Sequence, residues 1–315
     1  MKILVIILNK DNANGLEKCL KSLSEQTYKN FDILVLDGNS KDNSRDIAKK
    51  YCARFKIQEK LGGTGFARIE GCKIALKEGY NVVIWGDSEN VYDKRYVEEI
   101  VKALERYDVV GGIPILEGNF VDHAFAWYHA IHIILPNLHK RHVPGNNKAE
   151  KTWIYNKIMY PPSMRAEDYG FSLLMLKNNL KIRCGLADAR VFVSLPKNLR
   201  EILSWQRARA KGVAQALRYV DFKPYDVLAW SILVLLFPTV ILNLPSLAFY
   251  LTILMIISIA IHIKSKRFIK YFKWYYFIAP LIGLLIHSLY SILAIIYYMR
   301  WSNERIAEGS DSIND

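Results

Sequence analysis

The sequence predicts an α/β protein with a mostly parallel β-sheet, helices on both faces of that sheet, and transmembrane helices near the C-terminus. Over about 110 residues, β-branched runs of strand length alternate with helix-period segments, which is typical of parallel strands joined by crossover helices. From Val227 onward the apolar density rises to that of a membrane protein. We therefore expect a soluble domain over residues 1–226, a membrane module of about three helices over residues 227–301, and a short acidic tail over residues 302–315.

The alternation begins with a buried strand over residues 2–8 and a helix marked by leucines at helical spacing, Leu16, Leu20 and Leu23. Further strands are expected at residues 31–36, 55–58, 82–85 and 109–113. The helices between them are expected at residues 41–51, 62–76 and 94–106.

Polar turns follow three of these strands, at residues 9–11, 37–40 and 87–90. Because parallel strands end at the same edge of a sheet, we expect the turns to gather where open α/β sheets bind their ligands. In the third turn, Asp87 and Glu89 are alternate residues of an extended segment, so both carboxylates can approach one cation. Mg²⁺ or Mn²⁺ suits such a pair when substrate phosphates complete the site. The alternative is an ordinary solvated turn.

Two further motifs each allow a structural and a functional interpretation. The glycine-rich residues 62–65 match neither a P-loop nor a dinucleotide fingerprint, yet a helix N-terminus there, with Arg68 one turn later, suits a phosphate. The alternative is a helix start with a solvent-exposed Arg68. Glu167 and Asp168 begin another helix, where the dipole favours acids. The functional interpretation makes Asp168 a general base beside a metal-bound phosphosugar.

The composition indicates an anionic partner, because the formal net charge is +13 and the isoelectric point is near 9.4. The sequence contains no helix-turn-helix, zinc-finger or RNP motif, so we expect no nucleic acid. The four cysteines lack metal-ligand spacing and indicate buried thiols in a reducing compartment. The apolar run after Lys2 is too short for a signal peptide, so we expect the first domain to lie in the cytosol.

Residues 121–143 hold five of the seven histidines, among aromatic and aliphatic side chains. The neat ligand pairs that zinc requires are missing, and we expect an amphipathic segment near the membrane surface. A basic helix is expected at residues 199–219, directly before the membrane module. Its structural interpretation is a basic surface that faces solvent or the membrane.

Three apolar segments, residues 227–243, 247–263 and 276–299, are expected to cross the membrane. Five basic residues and no acidic ones lie between residues 264 and 273, so the positive-inside rule places that loop in the cytosol. Three crossings then leave residues 1–226 inside the cell and the acidic tail outside, in a multi-pass protein of the cell membrane. The tail acids are Glu304, Glu308, Asp311 and Asp315.

With these residues in view, the chain resembles the family 2 glycosyltransferases, which have the GT-A (nucleotide-diphospho-sugar transferase-like) fold. The resemblance covers about residues 1–220, with the apolar helices as an appended module. The matching motifs, in order and spacing, are Asn9-Lys10-Asp11, Gln26-Thr27-Tyr28, Leu36-Asp37-Gly38-Asn39-Ser40, Gly65-Phe66-Ala67-Arg68, Asp87-Ser88-Glu89, Gly145-Asn146-Asn147 and Glu167-Asp168.

The resemblance implies an inverting transfer of a sugar from a nucleotide-diphospho-sugar, such as a UDP- or GDP-sugar. It places Asn9, Asp11 and Asp37 in the nucleotide pocket and Arg68 against the diphosphate. Asp87 and Glu89 match the D-x-D motif that holds Mg²⁺ or Mn²⁺, with Glu in place of the second Asp. Asp168, beside Glu167 in the E-D motif, is implied to deprotonate the acceptor hydroxyl.

A second departure from the family pattern concerns Gln206 and Arg209. They match the Q-x-x-R part of Q-x-x-R-W and are assigned to substrate binding, but Ala210 stands where Trp is usual. In the processive polysaccharide synthases of the family, that Trp supports acceptor binding, so a single-transfer enzyme is expected here. Its acceptor is expected to be a lipid-linked or membrane-proximal glycan. The alternatives are a polyprenyl-phosphate glycosyltransferase resembling dolichyl-phosphate mannose synthase, a catalytically silent membrane scaffold, and a nucleotidyltransferase.

Overall fold

The computed structural model describes residues 1–135 and 138–300. These residues form two compact units. The first comprises Met1–Pro114 and His139–Val193, and the second comprises Ile115–Leu138 and the described chain from Ser194 to residue 300. The segments around residues 120–134 and 199–220, which the sequence analysis placed in a first domain ending at residue 226, therefore group with the apolar helices.

An eight-stranded sheet forms the centre of the first unit. Its strands are β1 (Ile3–Asn9), β2 (Asp32–Asp37), β3 (Arg54–Ile57), β4 (Val82–Asp87), β5 (Val91–Tyr92), β6 (Val109–Ile115), β7 (Asn147–Lys151) and β8 (Cys184–Phe192). The order across the sheet is β3-β2-β1-β4-β7-β6-β8-β5. β1 runs parallel to β2 and β4, and β2 runs parallel to β3. β7 is antiparallel to both β4 and β6, and β8 is antiparallel to β5.

The helices are numbered in chain order. They are α1 (Ala13–Ser24), α2 (Ser44–Lys50), α3 (Thr64–Lys77), α4 (Tyr96–Leu104), α5 (Phe120–Phe125), α6 (Trp127–Ile134), α7 (Glu167–Lys177), α8 (Leu199–Val220), α9 (Tyr225–Leu235), α10 (Phe237–Val240), α11 (Leu244–Ser265) and α12 (Ala279–Arg300). The first four and α7 belong to the first unit, and the others belong to the second.

The parallel half of the sheet confirms the sequence prediction. All seven residues of β1 are buried, as are five of the six residues of β4, so both strands read as nearly continuous apolar runs. The predicted helices between the parallel strands also form. The register pairs Asn9 with Asp37 and Leu8 with Asp87, which confirms that the three polar turns begin at one edge of the sheet.

One of the four cysteines departs from its prediction. Cys19, Cys72 and Cys184 are buried thiols, whereas Cys52 is exposed in the turn after α2, at a positive φ of 54°. Its side chain therefore faces solvent rather than the core between α2 and the sheet.

Two helices of the second unit are long and apolar enough to cross a membrane, among the residues described. They are Leu244–Phe268 and Trp274–Arg300, and they contain the second and third predicted segments. The first predicted segment forms the shorter apolar helix Tyr225–Val240, and the three-span arrangement stays a prediction. The acidic tail lies outside the described residues.

The connection between these two long helices is tied to the residues that follow β6. Leu116 donates its amide to the Phe268 carbonyl and accepts from the Lys270 amide, both at 2.8 Å. The Tyr271 amide donates to the Glu117 carbonyl at 3.0 Å. The basic segment is thus fixed by backbone hydrogen bonds to a specific point in the chain.

Candidate functional site

Side chains from β1 and β2 form a hydrogen-bonded cluster at the carboxyl edge of the sheet. Asn9 donates from Nδ2 to Asp37 Oδ1 at 2.7 Å and to the Ser44 hydroxyl at 3.0 Å. Asp37 also accepts from the Ser40 amide and hydroxyl, both at 2.7 Å. Asn9 and Asp37 are buried, so their described contacts fasten the turn after β2 to the end of β1.

Asp11 occupies the outer side of this cluster. It has a φ of 47°, donates its amide to the Ser40 hydroxyl, and accepts from the Lys41 amide, each at 2.8 Å. Of the three residues predicted for the nucleotide pocket, Asp11 alone is exposed. The structure brings the three together, and their contact with a nucleotide stays a prediction.

The candidate metal-binding acids lie at the end of β4. Burial raises the pKa of Asp87, and Glu167 and Asp168 add to that rise while Arg68 opposes it. Glu89 reaches solvent, but the surrounding protein and then the Asp87 charge raise its pKa to about 7. The charges of Arg68 and Arg165 only partly offset burial and like charge at these carboxylates, and a divalent cation would supply further positive charge.

The donor set fits a cation that is shared with a substrate. Within residues 1–135 and 138–300, no group of three or more His, Cys, Asp or Glu side chains could hold a metal ion. Asp87 and Glu89 would therefore supply two ligands, and phosphate oxygens and water would supply the rest, as Mg²⁺ prefers.

Arg68 is buried rather than exposed, so the solvent-exposed alternative is wrong. Its side chain is 2% exposed. Nε donates to Glu167 Oε1 at 2.7 Å, and the guanidinium lies 4.8 Å from the Trp85 ring centroid. Glu167 also accepts from the Thr64 hydroxyl at 2.5 Å. Arg68 and Glu167 therefore form a buried ion pair between α3 and α7, and the predicted contact of Arg68 with a diphosphate stays a prediction.

The glycine-rich start of α3 serves the packing of the backbone. Thr64 and Gly65 donate their amides to the carbonyls of Met164 and Ser163, at 3.1 and 3.0 Å. Gly63 has a φ of 145°, and a Cβ there would collide with the Met164 backbone. A phosphate at this helix start could not bind the amides of Thr64 and Gly65, because the carbonyls of residues 163–164 already accept hydrogen bonds from them.

Asp168 lies in the first turn of α7 and is partly exposed. Its Oδ2 accepts from the Gly145 amide at 2.8 Å. Burial would raise the pKa of this carboxyl, but the charges of His142, Lys148 and Arg68 and the Gly145 hydrogen bond outweigh it and lower the pKa below its ordinary value. Asp168 is therefore ionised at neutral pH, the state that a general base requires.

A second buried ion pair, which the sequence analysis missed, lies on β7. Lys148 Nζ is 2.8 Å from Glu150 Oε1, and both side chains are fully buried. Glu150 also accepts from Trp85 Nε1 at 3.0 Å, from the Tyr155 hydroxyl at 2.7 Å and from the Tyr160 hydroxyl at 2.9 Å. The available signal was the alternation of Lys148 and Glu150, which puts both on one face of a strand.

Gln206 and Arg209 belong to α8, in the second unit. Gln206 donates to the Tyr128 hydroxyl at 3.2 Å, and the Arg209 guanidinium lies 4.2 Å from the centroid of the Tyr128 ring. Ala210, which stands where the family has Trp, is buried. Gln206 and Arg209 therefore contact an aromatic side chain of their own unit, and their role in substrate binding stays a prediction.

Comparison with known proteins identifies a family match and several similar sequences. The model of glycosyl transferase family 2 matches residues 3–165. The uncharacterized glycosyltransferase alr2836 of Nostoc is 30% identical over 133 residues, or 38% of each chain. Glycosyltransferase GlyA of Streptococcus pneumoniae is 33% identical over 123 residues, or 38% of this chain and 17% of that one. The chain thus spans well under half the length of these two relatives.

Solved structures share the fold. The mannosyltransferase PcManGT from Pyrobaculum calidifontis, in complex with GDP-Man and Mn²⁺, has a TM-score of 0.58 at 16% identity, covering 95% of this chain and 87% of that chain. Glucosyl-3-phosphoglycerate synthase from Mycobacterium tuberculosis, in complex with Mn²⁺, UDP and glucosyl-3-phosphoglycerate, has a TM-score of 0.53 at 17% identity, covering 70% and 81%. The predicted GT-A fold is thereby confirmed. Because the family match covers more than half of the chain, the protein belongs to glycosyl transferase family 2.

Proposed function

We propose that the protein is a membrane-bound enzyme that transfers a sugar, with inversion, from a nucleotide-diphospho-sugar to a hydroxyl of a lipid-linked or membrane-proximal glycan. The observation that carries the proposal is the contrast between two acidic sites in one unit. Burial and neighbouring acids raise the pKa of Asp87 and Glu89 in spite of nearby arginines, whereas the cations around Asp168 and the Gly145 amide lower the pKa of that carboxyl.

The donor and the metal follow from the first site. PcManGT holds GDP-Man with Mn²⁺, and the mycobacterial synthase holds UDP with Mn²⁺, on the same fold. Mg²⁺ or Mn²⁺ on Asp87 and Glu89 would neutralise the charge that develops on the departing diphosphate. Binding of the cation would also favour the ionised form of both carboxylates, because its positive charge offsets the negative charge that they gain.

Asp168 supplies the second half of the chemistry. The acceptor oxygen forms a bond to the anomeric carbon while the bond from that carbon to the diphosphate oxygen breaks, and the hydroxyl proton passes to Asp168. A carboxylate with a lowered pKa is a weak base, so it takes the proton late, when attack has made the hydroxyl acidic. Approach opposite the leaving group gives inversion.

The proposed orientation places the first unit in the cytosol. Residues 116 and 117 directly follow β6 and are hydrogen-bonded to residues 268–271, so chain connectivity keeps the basic segment on the side of the membrane where β6 ends. The segment of residues 264–273 contains five basic residues, and by the positive-inside rule these favour a cytosolic location for this side of the membrane.

This orientation requires an additional crossing. If α11 leads from the far side to the basic segment, the chain must cross between residues 225 and 243. The helix Tyr225–Val240 spans about 24 Å at 1.5 Å per residue, less than the hydrocarbon core of about 30 Å. Local thinning of the bilayer absorbs a mismatch of this size at modest cost. This argument supports three spans and an external C-terminus.

The test is a donor screen on membranes that contain the protein. Radiolabelled UDP- and GDP-sugars are supplied with Mn²⁺, and products are sorted by organic extraction into lipid-soluble and aqueous fractions. We expect one donor to label a glycan or glycolipid, and EDTA to abolish the labelling. An exposed acid outside the site provides the matched control, since Asp46→Asn on α2 should keep full transfer. A product whose sugar is attached directly to a polyprenyl phosphate would refute the hydroxyl acceptor and establish the alternative.

A further inference from the structure

Two of the three guanidinium nitrogens of Arg68 donate hydrogen bonds to groups of the protein itself. Nε donates to Glu167 at 2.7 Å, and Nη2 donates to the Gly145 carbonyl at 2.8 Å. Nη1 is buried and has no hydrogen-bond partner among the described residues. The aromatic rings of Trp85 and Tyr160 lie 4.8 and 5.5 Å from the guanidinium carbon. Arg68 is thus enclosed by α3, α7, β4 and the segment that contains Gly145.

The Gly145 residue connects this arginine to Asp168. Its carbonyl accepts from Arg68 Nη2, and its amide donates to Asp168 Oδ2 at 2.8 Å. A Cβ on Gly145 would lie 2.9 Å from Arg68 Nη2, 3.0 Å from Asp168 Cβ and 3.2 Å from Glu167 Oε1. Glycine is therefore the residue that allows the peptide to fit between the ion pair and the carboxylate.

We infer that Arg68 is a positioning residue for Asp168, acting through the backbone of Gly145, rather than a ligand of the donor diphosphate. The inference rests on the proposed role of Asp168 as the base. Arg68 and its partner Glu167 hold the Gly145 carbonyl in place, and this fixes the direction of the amide that Asp168 accepts. A hydrogen bond to the carbonyl also polarises the peptide, which strengthens the amide as a donor.

The charges that face Asp168 come from several elements. Lys148 is a cationic neighbour besides Arg68, and His142 also acts to lower the pKa of Asp168, while Glu167 on α7 and Asp87 on β4 are anionic neighbours. Arg68→Lys keeps the positive charge among these groups. A single ammonium cannot reproduce the planar fork that reaches both Glu167 and the Gly145 carbonyl. The variant therefore separates geometry from charge.

The experiment compares Arg68→Lys and Gly145→Ala with Arg54→Lys. Arg54 makes a two-point ion pair with Glu78, at 2.6 and 2.7 Å, in the same unit, and it belongs to no proposed site. Binding of GDP and UDP with Mn²⁺ is measured by calorimetry on the purified full chain in detergent. The kcat, the KM for the donor, and the pH profile of kcat are measured with the donor found in the screen.

We expect Arg68→Lys and Gly145→Ala to lower kcat about tenfold or more, the rate equivalent of one lost hydrogen bond to a charged group. Nucleotide affinity and donor KM should stay within about twofold of the wild type. Because the amide bond favours ionised Asp168, its loss should move the acid limb of the kcat profile to higher pH. Arg54→Lys should change none of these quantities.

A rise of tenfold or more in the nucleotide Kd of Arg68→Lys, with kcat and its pH profile unchanged, would overturn the inference and make Arg68 a diphosphate ligand. If Arg68→Lys folds poorly, Gly145→Ala decides alone, since it retains both charges, and wild-type kcat with an unshifted profile refutes the positioning role. Failure of the proposed function has a different signature, because Asp168→Asn would then keep wild-type turnover.

Discussion

The buried ion pair on β7 makes a prediction about stability that can be worked out from its contacts. Glu150 is completely buried and accepts four hydrogen bonds, from Lys148 and from the side chains of Trp85, Tyr155 and Tyr160. Glu150→Gln keeps one acceptor oxygen but turns an NH₂ group toward the remaining donors. It also leaves the Lys148 ammonium without its anion in a dry environment.

Breaking a buried pair in this way costs about 3–5 kcal/mol, because one uncompensated charge remains. Lys148→Met should cost less, since the three neutral donors still satisfy the Glu150 carboxylate. The double variant Lys148→Met/Glu150→Gln should cost less than the sum of the two single variants. The expected coupling is roughly 1–3 kcal/mol.

Thermal unfolding of the purified chain in detergent measures this series. For a unit of this size, Glu150→Gln should lower Tm by about 10 °C. Asp108→Asn is the control, because Asp108 is buried but its cationic partners Arg183 and Lys151 both reach solvent, so these cations regain water when the pairs break. Additive losses in the double variant, or a Glu150→Gln loss no larger than the control, would refute the reasoning.

Three further predictions concern activity and topology. Asp87→Asn should abolish transfer as EDTA does, without unfolding the chain, and full activity in EDTA would contradict the metal site. Asp168→Asn should lower kcat by roughly two to four orders of magnitude while nucleotide binding persists. At saturating Mn²⁺, which keeps Asp87 and Glu89 ionised, wild-type kcat should fall with acid only below about pH 4, because the pKa of Asp168 lies below its ordinary value, and an acid limb near pH 6 would argue against this base. In a background lacking the exposed Cys52, an external thiol reagent should label a cysteine at Ser310 but not one at Lys266, and the reverse pattern would refute the orientation.

The sequence was sufficient where a strand is buried on both faces. β1 and β4 are apolar runs closed by polar turns, so their existence, their direction and the edge at which Asp87 lies were all predictable. β7 was missed because Asn147-Lys148-Ala149-Glu150-Lys151 contains a single apolar residue. Lys148 and Glu150 are buried because they pair with each other and because Glu150 accepts from aromatic side chains, one of which, Trp85, is 65 residues away in the chain.

The sequence also could not predict which residue pairs with Arg68. Arg68 and Glu167 are 99 residues apart in the chain, and nothing local to either residue indicates the other. A motif therefore located the residues of the candidate site but not their contacts. The glycine-rich start of α3 shows the same limit, because its amides bind carbonyls of residues 163–164, which the sequence did not connect to it.

The two acidic sites of the first unit illustrate how one protein assigns different chemistry to the same functional group. Burial and neighbouring acids raise the pKa of both Asp87 and Glu89, and a divalent cation bound there would favour their ionised forms. Asp168 already has cationic neighbours and a backbone amide, which lower its pKa. A cation therefore gains more by binding the first pair than by binding Asp168, and Asp168 stays available to accept a proton. Environments that push carboxylate pKa values apart are a physical basis for assigning a metal ligand and a base.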